Sequence, residues 1–444
     1  MSIQAPAVLL KPSRSIDRSV SARIAVLSIA VIGASAMLGS PVAGALTAVF
    51  LVVGRIYGGP PAVLAILAAT FALASSIFSD VKAAGEDLRW LALACLAVWP
   101  LVERERQWIR CRKLVLSFTG AFVVWSVFTT WWSATPSLSA QRAVAFAVVL
   151  IVSFLMAPTT LPTTASRQAF GRYLASIGAA ATSLALALGV LTPNDAWLGA
   201  LFRGWLENSN TMGNWAACLL PAIMLLPRWR WRFIAAVPLT VTILLSGSRA
   251  ALLVFVVTVL VVLPGRPWTK AVVAFGLIGV AIAVILSPLS DAVFSPALAK
   301  FAESDADLLR TLTGARTEAW SASYELILIA PAEGLGFGAG DQLFALTGLD
   351  RTFLYYQGAT SSSAYLTVWV EVGLVGLLLF AAMLIAAFRD ALGAVALRPL
   401  VGVAAALFGI GLVESFLTSP GSPFAILAFL SLGLAAAPTV SETD

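Results

Sequence analysis

Arg203, Arg249 and Arg316 stand beside the ends of long apolar runs, and Glu371 stands about two turns inside one. A guanidinium is a planar fork that makes paired, charge-assisted hydrogen bonds to phosphate oxygens. Several such forks facing one cavity at a membrane surface suit a pyrophosphate, the group that lipid-linked sugars carry. A carboxylate inside a membrane span is a functional candidate by default, with an arginine as its expected partner; a structural ion pair is the alternative. The sequence contains no histidine, which excludes a histidine base and histidine metal sites. Cys95, Cys111 and Cys218 have no spacing that suggests a metal site or a disulfide framework.

Four motifs carry these residues. In "LFRGWLENSNTMGNWAACLLP" (201–221), Arg203, Glu207, Asn208 and Asn210 form a polar rim suited to phosphate or sugar. The alternative is that the Asn and Ser cap a helix starting near Thr211. In "SGSRAALL", Arg249 follows Ser246, Gly247 and Ser248, small residues that let other backbones approach closely. A headgroup-directed, snorkelling arginine is the rival reading. In "TGARTEAWSASYELILIAPAEGLGFGAG" (313–340), Arg316, Trp320 and Tyr324 recur four apart on one helix face. The alternating Gly334, Gly336, Gly338 and Gly340 lack the strand–turn–helix context of a dinucleotide site and read as a flexible turn closing a loop. In "SSSAYLTVWVEVGLVGLLLF" (361–380), polar Ser361 to Ser363 lead into Tyr365 and then Glu371.

The elements that must hold these residues are membrane helices. Hydrophobic residues make up 60% of the chain and charged residues 11%, against about 25% charged in soluble domains, and mean hydropathy is +0.94. The runs are too long and too uniformly apolar for barrel strands. Runs of about 17–22 apolar residues predict spans near 23–38, 42–54, 61–79, 89–102, 114–132, 142–157, 173–191, 211–226, 231–246, 250–263, 271–288, 365–387, 399–416 and 422–437. That is fourteen, or twelve if one or two are re-entrant. The expected organisation is a cytoplasmic segment 1–22, spans over 23–288, one long periplasmic loop 289–364 containing short helices, spans over 365–437 and a cytoplasmic tail 438–444. "ASA" at 34–36 imitates a signal-peptidase site, but the leader is long and many spans follow. With the N-terminus inside, nineteen of the 28 Lys and Arg fall on cytoplasmic segments such as "VERERQWIRCRK" and "PRWRWRF", as the positive-inside rule expects. Lys82, Arg89, Arg142, Arg203, Arg249, Lys300, Arg310, Arg316 and Arg351 fall outside and need another reason. The net charge of +6 thus reports topology rather than nucleic-acid binding.

The order of the motifs resembles the O-antigen ligase and polysaccharide polymerase superfamily over about 118–380. The resemblance rests on "VFTTWWSATPSLSAQRA" at 127–143, "FRGWLENSNTMG", "LLSGSRAALL", "GARTEAW" followed by "GLGFG", and "SAYLTVWVEVGLVG". It implies a GT-C-like, all-α polytopic bacterial inner-membrane glycosyltransferase that takes glycan from an undecaprenyl-pyrophosphate donor, with no cofactor and no metal. Its acceptor would be a glycan or the lipid A core, its surroundings membrane lipids, its partners polysaccharide export or chain-length proteins. By motif, Arg249 and Arg316 match the family positions that engage the donor pyrophosphate, and Arg203 matches a recurring one. Trp320, Tyr324 and Tyr365 are placed to stack on sugars, with Asn208, Asn210 and Ser362 as further contacts. The sequence departs from the family where the last motif often begins His-Asn-x-Tyr-Leu; here it reads Ser362-Ser363-Ala364-Tyr365-Leu366. Either a carboxylate such as Glu318, Asp341 or Glu371 replaces that base, or charge stabilisation by arginines carries the reaction, or the chain is a degenerate member. A transporter or flippase, which favours charges near the bilayer midplane and inverted repeats with broken helices, is the rival of another class. The absence of the histidine leans the reading toward exopolysaccharide polymerase over ligase.

Overall fold

The computed structural model describes residues 59–102, 112–198, 201–262, 316–346 and 362–440. The chain is an all-α polytopic membrane protein. Among the described residues, four helical segments are long and apolar enough to cross a membrane: Lys113–Trp132, Pro136–Thr160, Thr164–Leu191 and Ala364–Leu392. Gly59–Ser75, Val395–Ile410 and Pro423–Ala436 are shorter apolar helices. In chain order the elements are α1 (Gly59–Ser75), α2 (Ser79–Val102), α3 (Lys113–Thr129), α4 (Pro136–Ile151), α5 (Thr164–Leu191), α6 (Ser209–Leu219), α7 (Trp229–Ser246), α8 (Arg249–Val262), α9 (Arg316–Ile329), α10 (Gly340–Leu346), α11 (Ala364–Leu392), α12 (Arg398–Ile410) and α13 (Pro423–Ala436). A two-residue hairpin, Trp197–Leu198 with Leu201–Phe202, precedes α6.

Helix starts follow local chemistry that an apolar count does not register. Pro136 and Pro423 sit in the first turns of α4 and α13, where a missing N–H costs nothing. Thr163 caps α5 by accepting from Ser166 N. These polar starts explain why α4 and α5 begin well before the expected 142 and 173. The expected span at 89–102 likewise begins at Ser79, its first turns polar. The expected span 211–226 splits into α6 and a 3-10 turn, Leu220–Leu225, at Pro221. The expected spans at 23–38, 42–54 and 271–288 lie outside the described residues.

The bundle has two chemically distinct ends. At one, Arg167 is fully buried and donates to four carbonyls: Leu161 at 2.8 Å, Leu434 at 2.9 Å, Ala437 at 2.6 Å and Pro438 at 2.9 Å. It thereby closes the C-terminal end of α13, where a cation also meets the negative end of the helix dipole. Arg112 pairs with buried Asp390 at 2.9 Å at the same end. The opposite end gathers the four motifs.

The longest of the described helices, α11, is broken in its first half. Gly373 has φ 68 and ψ −174, so backbone groups on either side lose their helical partners. In lipid, each unsatisfied group costs several kcal/mol. The Gly-rich segment Pro331–Gly340 repairs the break. Leu335 N and Gly336 N donate to the carbonyls of Val370 and Glu371 at 2.9 and 2.8 Å; Leu374 N and Val375 N donate to those of Pro331 and Ala332 at 2.9 and 3.2 Å. Indole N–H groups add a clamp, Trp125 to Val372 O at 2.8 Å and Trp132 to Gly334 O at 2.9 Å. Phe337, fully buried, packs between Phe122 and Phe146 at 6.4 and 5.6 Å between ring centroids. The expectation of a flexible turn is therefore corrected: this is a buried, hydrogen-bonded strap. Its glycines are needed because a Cβ on Gly334 would lie 2.4 Å from Gly373 N, and one on Gly336 2.4 Å from Ser133 Cβ.

A Cβ on Gly373 would lie 2.1 Å from Ala332 O, at a positive φ. Gly373→Ala is expected to lower stability by more than about 1 kcal/mol, read as a lower thermal midpoint in detergent. Gly120→Ala, in α3 with open space around it, is expected to be neutral or stabilising by up to about 1 kcal/mol.

Candidate functional site

The turn that presents Arg249 is built by close packing. Gly247 is left-handed at φ 62 and ends α7. Ser246 Oγ donates to Ile243 O at 2.8 Å, and Ser248 Oγ accepts from Ala251 N at 3.2 Å, so each serine caps one side of the turn. Ser248 Oγ also donates to buried Asn214 Oδ1 at 3.2 Å, tying the turn to α6. A Cβ on Gly213 would lie 2.2 Å from Ser246 Oγ and 2.8 Å from Ser248 Cβ. The small residues are there because α6 presses into the turn. Arg249 emerges from it as the first residue of α8, partly buried.

Arg316 lies in the neighbourhood of Arg249. It is the first residue of α9, and the two guanidinium groups are near enough to feel each other's charge. Arg316 Nε donates to Val413 O at 2.9 Å, and its Nη2 pairs with Glu414 Oε1 at 2.9 Å. The same loop holds the start of α11: Ala364 N donates to Gly411 O at 2.8 Å and to Glu414 O at 3.0 Å. The "GARTEAW" and "SSSAYL" motifs thus converge on the α12–α13 loop, "GLVESFLTSPGS", which sequence reasoning passed over.

Beside this junction lies a cavity of about 350 Å³, within the range of about 300–1,000 Å³ usual for small-molecule sites. Glu414 forms part of its wall, together with Arg142, Phe344, Thr367, Glu371, Ser415, Phe416, Thr418, Ser419 and Ser422. Arg142 donates to Gly338 O of the strap. Arg89 lies behind the wall, against Gly421, where a Cβ would sit 2.9 Å from its Nη1. Six of the nine basic residues that break the positive-inside pattern are described, and all six lie at this end. Lys300, Arg310 and Arg351 lie outside the described residues.

The predicted residues separate into two groups. Arg249, Arg316 and Glu371 are brought to the junction and its cavity. Glu371 is buried, and its Oε1 accepts from Gly340 N at 3.1 Å, so it also pins the strap. Arg203 Nε donates to Asp195 O at 2.8 Å and holds the hairpin, whose Leu201 packs on Gly247. Asn208 caps α6 by accepting from Asn210 N at 2.8 Å, which is the capping alternative. Tyr365 donates its hydroxyl to Phe408 O at 3.0 Å in the core, away from the cavity wall. Trp320 is half-buried on α9, while Tyr324 on the same helix is 59% exposed. Ser362 is buried with φ 51 just before α11. The side chains of Glu318 and Asp341 lie outside the described residues. Sequence reasoning missed Asn214, Glu414 and the part played by Arg142. Arg142 had a signal, as an outer-facing cation, and Glu414 had only its position between the last two spans.

Burial pushes the Glu414 carboxyl above its usual range, and Arg316 pulls it part of the way back. Folding therefore holds a proton on Glu414 to higher pH than the unfolded chain does. Its contribution to stability is fully present below the unfolded value of about 4.3 and is lost as pH rises through the raised folded value. At pH 7–8, Glu414→Gln is expected to leave the thermal midpoint unchanged or higher; between pH 4.5 and 8 the wild type should lose stability relative to this variant. Thermal unfolding in detergent across that range measures both.

Residues 233–381, roughly a third of the chain, match the family model described as O-Antigen ligase. No curated protein matches the chain. The matched residues carry Arg249, Arg316, the strap and Glu371, so this third of the chain is similar to the O-antigen ligase family.

Proposed function

We propose that the protein transfers glycan from an undecaprenyl-pyrophosphate carrier to an acceptor sugar at the periplasmic face of a bacterial inner membrane, as a polymerase in preference to a ligase. The observation that carries this reading is the neighbourhood of Arg249 and Arg316, guanidinium groups from distant parts of the sequence that feel each other's charge, with Arg316 also paired to Glu414. Two neighbouring guanidinium groups attract a multiply charged anion more strongly than either does alone. A pyrophosphate with a lipid on one side and a sugar on the other fits a site at the end of a helical bundle. As the glycosidic bond to phosphate breaks, negative charge grows on the pyrophosphate. Fixed guanidinium groups stabilise that charge more in the transition state than in the ground state, which is what accelerates the step.

The preference for polymerase rests on the missing histidine and on the lack of any feature directed at lipid A. The acceptor is then a growing glycan, with lipid A core as the ligase alternative. Transporters also use broken helices, and α11 is broken at Gly373. The break here is filled by the chain's own strap, and the arginines gather at one end of the bundle, which supports transfer over transport.

Arg249→Ala and Arg316→Ala are each expected to reduce polymer or ligated product at least roughly 100-fold with membrane levels of the protein unchanged. Gel profiles of glycans from the complemented native host read this directly. Unchanged product in both variants would sink the assignment.

A further inference from the structure

Glu414 touches both halves of the candidate site. One oxygen, Oε1, is 2.9 Å from Arg316 Nη2, and the residue forms part of the wall of the 350 Å³ cavity. Its side chain is 31% exposed, so a cavity occupant can reach it. The wall around it is made of short hydroxyl side chains, Thr367, Ser415, Thr418 and Ser419, with Phe344 and Phe416 as apolar surfaces. Hydroxyls that both donate and accept, beside an aromatic face, match the chemistry of a sugar ring, which is polar at its edge and apolar on its faces. The other carboxylate on the wall, Glu371, is engaged with Gly340 N of the strap.

Resting on the glycosyl-transfer reading above, we propose that Glu414 is the general base that activates the acceptor, and that the cavity beside it is the acceptor-sugar subsite. The acceptor hydroxyl gives its proton to the Glu414 carboxylate. Its oxygen forms a bond to the anomeric carbon of the donor sugar, and the bond from that carbon to the pyrophosphate oxygen breaks. The electron pair leaves with the pyrophosphate, which stays on its lipid against Arg249 and Arg316. The proton then passes from Glu414 to the released pyrophosphate or to water.

The arrangement couples donor to base. An empty site leaves Arg316 paired with Glu414, which damps the carboxylate's basicity. A donor pyrophosphate drawing on Arg316 weakens that pairing and leaves the carboxylate a better proton acceptor. Burial has already moved the carboxyl upward, toward the range in which a base works near neutral pH.

The test uses the full chain in proteoliposomes with lipid-linked donor extracted from membranes of the native host, and inorganic pyrophosphate as a competing probe. Glu414→Gln should lower turnover at least roughly 100-fold while inorganic pyrophosphate competes for donor as well as in the wild type, or better. Glu414→Asp should recover part of the rate and displace the acid limb of the pH–rate profile. Ser419→Trp, at the exposed rim of the cavity, should raise the acceptor KM several-fold with little change in kcat. Glu414→Gln within threefold of wild-type turnover, or a loss of pyrophosphate competition in that variant, overturns the base assignment. An unchanged acceptor KM in Ser419→Trp overturns the subsite. A wild type that forms no glycosidic bond overturns the transfer reading itself, an outcome distinct from an active wild type with an equally active Glu414→Gln.

Discussion

A helix cannot stop halfway through a membrane unless something else satisfies its backbone. In this protein α11 is interrupted at Gly373, and the strap Pro331–Gly340 fills the gap with main-chain hydrogen bonds in both directions. That exchange fixes more than a kink. The strap leads out of α9, so anchoring it anchors the helix that begins with Arg316. It also presents Gly338 O to Arg142 and Gly340 N to Glu371, which sets one wall of the cavity. Every glycine of the strap meets a neighbour that a side chain would displace, or sits at a backbone angle other residues avoid.

A second centre grows from the loop after α12. It accepts the start of α11 at Gly411 and Glu414, takes Arg316 on Val413 and Glu414, and turns back into α13 under Ser422 as a cap. The loop carries no helix that a periodicity would reveal, yet two motifs that are far apart in sequence meet on it. With Arg249 held by the Gly213–Ser246–Ser248 contact, two cations and one carboxylate share a small volume at one end of the bundle. Charge that close is stable only in a rigid frame, and the frame is the close helix packing that the glycines and serines allow.

Much of this was legible in the sequence. Hydropathy identified a helical membrane protein, and the six described cations among those that defied the positive-inside pattern led to one end of the fold. Arg249 falls between the spans expected at 231–246 and 250–263, framed by small neighbours, and the structure places it there, at the turn between α7 and α8. Asn208 shows the limit: its type suits both capping and sugar binding, and only the contact to Asn210 N settles what it does in the fold. The strap was misread because alternating glycines signal freedom when nothing is known of their neighbours; their confinement comes from contacts with residues such as Ser133 and Gly373. Glu414 was invisible for a similar reason. A lone carboxylate between two spans looks like a solvated loop residue until the partner, Arg316, arrives from 98 positions away.

In the proposed reading Arg249 and Arg316 form the donor side and the cavity the acceptor side, with Glu414 between them. Its central claim is that a bond is made here and that lipid pyrophosphate is released. The most direct measurement reconstitutes the purified full chain with lipid-linked glycan and counts free lipid pyrophosphate against new glycosidic bonds. The account predicts one lipid pyrophosphate released for each bond formed. Glycan that crosses the bilayer still attached to its lipid, with no release, would contradict it.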